Sequence, residues 1–147
     1  MSEFDDGELD ASPEEAVDDE VRVLFVEDDE AVADMYKLKL ELDGYSVTVA
    51  ADGESAVDLA LQDPPDLVFL DIRLPTMDGF QVLEVLRSDD RTRYVPVVIL
   101  SNYGEEELVD RGFKLGALEY LIKSQTTPSR VSGGIPSWVR SAVARKQ

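Results

Sequence analysis

The chain has 147 residues, 44% of them hydrophobic, which is the length and composition of one ordinary globular domain. It carries neither cysteine nor histidine, so disulfides, thiolate and imidazole metal sites, imidazole catalysis and an internal phosphohistidine donor are all excluded. A net charge of −18 repels nucleic acid, and neither a long apolar run nor a signal-peptide pattern is present, so no nucleic acid, no membrane span and a cytoplasmic location are expected.

Residues 1–20 hold ten acids and no base, while the rest of the chain carries a net charge of only −8. That composition predicts a disordered acidic tail ahead of one domain over residues 21–147. Residues 21–26 form a short apolar run suited to a buried strand. Ala31, Met35, Leu38 and Leu42 then fall at i, i+4, i+7 and i+11, one apolar face of a helix that Asp43-Gly44 stops. Residues 45–49 are β-rich, residues 54–62 are amphipathic, and Pro64-Pro65 separates them from the fully apolar run 67–70. A helix over residues 80–86 follows a cap at Asp78. Residues 95–100 read as a strand, 105–115 as a helix and 117–122 as a last strand. Five strand–helix units whose strands are apolar on both sides predict an α/β fold: a doubly wound five-stranded parallel sheet, flavodoxin-like.

The final unit is irregular. Val131, Ile135, Trp138 and Ala142 keep helical spacing, yet Gly133, Gly134 and Pro136 lie among them. Those three cost on the order of 5 kcal/mol in a continuous helix interior. A helix kinked or split near residues 133–136, with Pro136 opening the second piece, is therefore expected. Trp138 reads as a core or edge anchor.

Ligands of a doubly wound sheet bind outside the carboxyl ends of its strands. There the sequence places Glu27, Asp28, Asp29 and Glu30 after the first strand, Asp71 after the third, Ser101 and Asn102 after the fourth, and Lys123 after the fifth. Two like charges 4 Å apart repel by roughly 4 kcal/mol at an effective dielectric of 20. Glu27, Asp28 and Asp71 can converge only if something neutralises them. A hard divalent cation such as Mg2+, which takes oxygen ligands, is one answer, and the ammonium of Lys123 is another. Asp29 and Glu30 read more simply as acids at a helix start.

A nucleotide or flavin site would need glycines after the first strand, and that loop has none. A haloacid-dehalogenase-type phosphatase would need a second acid two residues after Asp71, where Arg73 stands.

Four stretches carry a resemblance: residues 23–29, Val-Leu-Phe-Val-Glu-Asp-Asp; residues 70–79, from Leu70-Asp71 to Asp78-Gly79; residues 98–101, Val-Ile-Leu-Ser; and residues 116–123, ending Tyr120-Leu121-Ile122-Lys123. In this order and spacing, the chain from residue 21 to about 144 resembles the receiver domain of two-component response regulators. The resemblance implies that Asp71 is the phosphorylated carboxylate. It implies Mg2+ held by Asp28, Asp71 and the backbone carbonyl of Arg73, with Glu27 acting mostly through water. It also implies that Lys123 and Ser101 contact phosphoryl oxygens and that Tyr120 is an aromatic switch coupled to Ser101.

The expected partners are a histidine kinase or histidine phosphotransfer protein acting in trans and a separate downstream protein. The expected assembly is a monomer or weak homodimer. Only 24 residues follow Lys123, so no output domain is expected. Departures from the pattern are Ser124, where proline is usual, and Asn102, where a small residue is usual. Asn102 narrows access to Asp71, and Arg73 and Tyr103 flank the path of an attacking water. The alternative is a receiver-shaped adaptor that signals without phosphorylation.

Overall fold

The computed structural model describes residues 20–146, so the expected acidic tail lies, apart from Glu20, outside the described residues. In chain order the elements are β1 (Arg22–Val26), α1 (Glu30–Leu42), β2 (Ser46–Ala50), α2 (Gly53–Gln62), β3 (Leu67–Leu70) and α3 (Gly79–Ser88). There follow β4 (Val97–Ser101), α4 (Glu106–Lys114), β5 (Glu119–Ile122), one 3-10 turn (Lys123–Gln125) and α5 (Pro128–Lys146). The five strands form one parallel sheet in the order β2-β1-β3-β4-β5. This is the doubly wound (βα)5 arrangement that the alternation of elements predicts.

Successive strand residues point to opposite faces, so each buried strand feeds two cores. On one face Val23, Phe25, Leu67, Phe69, Val98 and Leu100 pack under α1 and α5. On the other, Leu24, Val26, Val68, Leu70, Val97 and Ile99 pack under α2 and α3, with Leu108 and Val109 of α4. The helix starts are set locally. Asp29, Asp52 and Asp78 each accept a hydrogen bond from the backbone N–H three residues on, and Asp78 with Gln81 completes a capping box. Gly44, at φ 99°, terminates α1.

Two helices differ from what spacing and propensity suggest. The face of α1 marked by Ala31, Met35, Leu38 and Leu42 points to solvent, with Leu38 62% and Leu42 75% exposed. Ala33, Tyr36 and Leu40 are buried instead. The helix is apolar on two sides, so spacing alone does not choose between them. Tyr36 decides, because its ring stacks on Phe25 at 5.0 Å between centroids.

The last helix is continuous from Pro128 to Lys146, with Pro136 inside it rather than at a break. Val131 and Ile135 are fully buried, and Trp138 meets Phe69 edge-on at 5.8 Å. Burying each of these side chains is worth roughly 1.5–3 kcal/mol, enough to offset the propensity cost. The ring of Pro136 faces solvent, and the hydroxyl of Ser132 bonds Asp43 at the end of α1, pinning the middle of α5. Among the described residues no helix is long and apolar enough to cross a membrane.

Candidate phosphoacceptor and metal site

The sheet register sets the site. Val26 pairs with Leu70, so Glu27 and Asp71 leave their strands side by side. Ser101 pairs with Ile122, which puts Lys123 one step beyond the end of β4. Backbone bonds continue past the strands: Glu27 N donates to Ala50 O at 3.0 Å and Asp71 N to Val26 O at 3.2 Å. These bonds hold the acids on rigid main chain.

One carboxylate oxygen from each of Glu27, Asp28 and Asp71 lies within 4.8 Å of the others. Glu27 and Asp71 are buried and Asp28 is exposed. Lys123 Nζ donates to Asp71 Oδ2 at 2.9 Å and also to Glu27 Oε1. The remaining oxygens are partly satisfied by main chain: Asp29 N donates to Glu27 Oε2 at 3.1 Å and Ile72 N to Asp71 Oδ1 at 2.7 Å. Burial pushes the Glu27 carboxyl above its usual range, against the pull of the Lys123 hydrogen bond. Burial pulls Lys123 down, but its hydrogen bonds to Glu27 and Asp71 and their charges outweigh that and raise it overall. Fully ionised, three carboxylates face one ammonium and two negative charges stay unbalanced. An all-oxygen donor set of that charge suits a hard divalent cation.

The acids open into a cavity of about 580 Å³ that Arg73, Asn102, Tyr103, Lys123 and Met35 also line. The Arg73 guanidinium stacks over the Tyr103 ring, 4.2 Å from its centroid. Ser101 is fully buried at the end of β4, and its Oγ accepts the Tyr103 N–H at 3.1 Å. Tyr120 is 9% exposed, and its hydroxyl donates to the Tyr103 carbonyl. Burial raises the phenol above its ordinary value, against the pull of the nearby Ser101 hydroxyl. The fold thus gathers Glu27, Asp28, Asp71 and Lys123 at one point and sets Arg73 at its rim. Ser101 and Tyr120 lie behind, joined through Tyr103. Sequence reasoning missed that Tyr103 links them, because the linking groups are its backbone amide and carbonyl, which leave no side-chain signature. Asp29 and Glu30 are, as read, the cap and first-turn acid of α1.

The model of the response regulator receiver domain family matches residues 23–131. This chain belongs to that family. It is 43% identical over 102 residues to the DNA-binding dual master transcriptional regulator RpaA of Synechocystis, a match covering 69% of this chain and 42% of that protein. It is 41% identical over 104 residues to the transcriptional regulatory protein CpxR of Escherichia coli, covering 69% and 42%. The chain therefore spans less than half the length of these relatives. Among solved structures, a CheY-like receiver domain protein from Methanospirillum hungatei superposes with a TM-score of 0.79 at 25% identity, covering 86% of this chain and 98% of that one. The Mn(2+)-bound form of the response regulator Rcp1 gives 0.73 at 26% identity, covering 81% and 94%. The Glu27–Asp28–Asp71 cluster is typical of a receiver-domain phosphoacceptor site. The architecture is that of a phosphoacceptor domain rather than of an enzyme turning over an outside substrate.

Proposed function

We propose that this receiver domain is a phosphorylation switch in which Asp71 accepts a phosphoryl group from the phosphohistidine of a histidine kinase or phosphotransfer protein. The observation that carries this reading is the convergence of Glu27, Asp28, Asp71 and Lys123 at the strand ends. In the transfer an Asp71 oxygen forms the new P–O bond. The P–N bond to the donor breaks, its electron pair stays on the leaving nitrogen, and the imidazole takes up one proton from solvent. Phosphoryl transfer needs alignment and charge neutralisation more than covalent help. Lys123, already on Asp71, shifts to a phosphoryl oxygen, and Ser101 offers its hydroxyl to another. Glu27, Asp28, Asp71 and the carbonyl of Arg73 would hold Mg2+, which supplies further neutralisation of the phosphoryl charge. That a similar response regulator, Rcp1, takes a Mn(2+)-bound form supports a divalent ion in a domain of this kind. Tyr120, tied to Ser101 through Tyr103, carries the change outward.

The donor must reach the cavity that Met35 shares with Asp71. Leu38 and Leu42 continue from Met35 along the exposed side of α1, so a helical donor protein has an apolar track beside the acceptor. Residues 21–147 act as the switching domain and the acidic residues 1–20 as a solubilising leader, with the domain itself a monomer or weak homodimer in the cytoplasm. The decisive test is intact-mass measurement after incubation with acetyl phosphate and Mg2+. One added phosphoryl group is expected, and Asp71→Asn abolishes it. Asn102 at the mouth of the cavity favours the adaptor reading, and an unmodified wild-type mass across pH and Mg2+ concentrations would establish it.

A further inference from the structure

Thr76 lies at φ 69°, the one non-glycine residue with positive φ among those described. A β-branched side chain rarely adopts that conformation, and such strain persists only where the surroundings enforce it. Here the surroundings are the start of α2. Thr76 Oγ1 accepts the Glu54 N–H at 3.3 Å, and the carbonyl of Pro75 accepts the Gly53 N–H at 3.2 Å. Both donors belong to the first turn of α2, whose amides have no partner within the helix. Asp52 takes the next one, Ser55 N, at 2.8 Å. The approach is close enough that a Cβ on Gly53 would sit 2.0 Å from Met77 O. The segment docked in this way is the middle of the loop from Asp71 to Gly79, the loop that carries Arg73.

We infer that Thr76 is a positioning residue: its strained backbone aims the hydroxyl at α2 so that the Asp71–Gly79 loop is clamped with Asp71 and the Arg73 carbonyl in register. This rests on the reading of that loop as part of the phosphoacceptor and metal site. A clamp of this kind separates stability from function. Thr76→Gly removes both strain and hydroxyl, so the fold is as stable as before or more so while the loop loosens. Thr76→Ser keeps the hydroxyl, loses only the β-methyl, and clamps the loop as wild type does.

The experiment compares the three proteins by thermal melting, Mg2+ titration and amide hydrogen exchange at Glu54 and residues 72–78. Thr76→Gly is expected to melt no lower than wild type, to bind Mg2+ about tenfold more weakly, as losing a supporting contact does, and to exchange faster at Glu54. Thr76→Ser should match wild type in Mg2+ binding and in exchange, and melt no lower. Unchanged exchange at Glu54 in Thr76→Gly, or an equal loss in Thr76→Ser, overturns the clamp. If wild type itself binds no Mg2+, the metal reading falls, and exchange at Glu54 alone then decides for or against the clamp.

Discussion

The carboxyl ends of the strands and the outer helices α1 and α5 obey opposite logic. At the strand ends, Glu27 and Asp71 are buried beside each other with one ammonium between them, an arrangement that costs free energy. Along α1 and α5 the residues are ordinary, and position is decided by which apolar surface packs best. A residue that is costly where it sits demands a reason, and the reason can be read from its chemistry. An apolar residue demands only some neighbour, and the sequence does not name which.

The largest expected effect tests the costly end. Lys123→Met leaves Glu27 and Asp71 buried without their ammonium and should cost about 3–5 kcal/mol in metal-free buffer at neutral pH. Urea unfolding measures it, and Mg2+ should restore part of the loss. Burial raises the Glu27 carboxyl while the Lys123 hydrogen bond and charge lower it, so removing Lys123 raises it further. The variant's folded form then takes up a proton at higher pH than wild type does, and its deficit shrinks as pH falls through that range. A variant as stable as wild type would erase the contrast between the two regions.

This contrast explains what was legible. Asp71, Lys123 and the Glu27-Asp28 pair stood out because four charged residues at strand ends have few bland explanations. The parallel sheet was legible because short strands apolar on both sides, alternating with amphipathic helices, admit little else. Which face of α1 is buried is not legible in the spacing, because Ala33, Tyr36 and Leu40 make as good a stripe as Ala31, Met35, Leu38 and Leu42. Only the ring of Phe25 on a different element breaks the tie. A split of α5, one of the two outcomes that propensity suggests, does not occur, because propensity is local, while the burial of Val131 and Ile135 is a property of the whole sheet face.

The next effect sharpens the α1 half of the comparison. Leu40→Ala removes a fully buried side chain and should cost about 2–5 kcal/mol. Leu38→Ala, two residues away and 62% exposed, should stay within about 0.5 kcal/mol. Equal losses at the two positions would mean that the exposed stripe is covered in solution.

Smaller still are the helix-breaking residues of α5. A Cβ on Gly133 meets nothing within 4 Å, whereas one on Gly134 would lie 2.4 Å from Trp138 Cη2. Gly133→Ala should therefore stabilise by about 0.4–1 kcal/mol. Gly134→Ala should destabilise, because the indole must leave its place against Phe69. Loss of stability in Gly133→Ala would reinstate the break that the sequence suggests.

The smallest effect is electrostatic and joins α1 to α5. The Ser132 hydroxyl on α5, with Lys39 on α1, holds the Asp43 carboxyl below its ordinary value. A carboxyl depressed in the folded state is protonated more readily in the unfolded one. Its contribution is thus complete above about pH 4 and is lost as pH falls through the depressed value. Asp89, held at about 2 by Arg91, follows the same sign. Ser132→Ala removes the Asp43 part alone. The melting temperatures of wild type and Ser132→Ala should differ most near neutral pH and draw together as the solution is acidified. A gap that stays constant with pH would mean that Ser132 supports α5 by packing, and that the Asp43 contact contributes nothing to holding the two helices together.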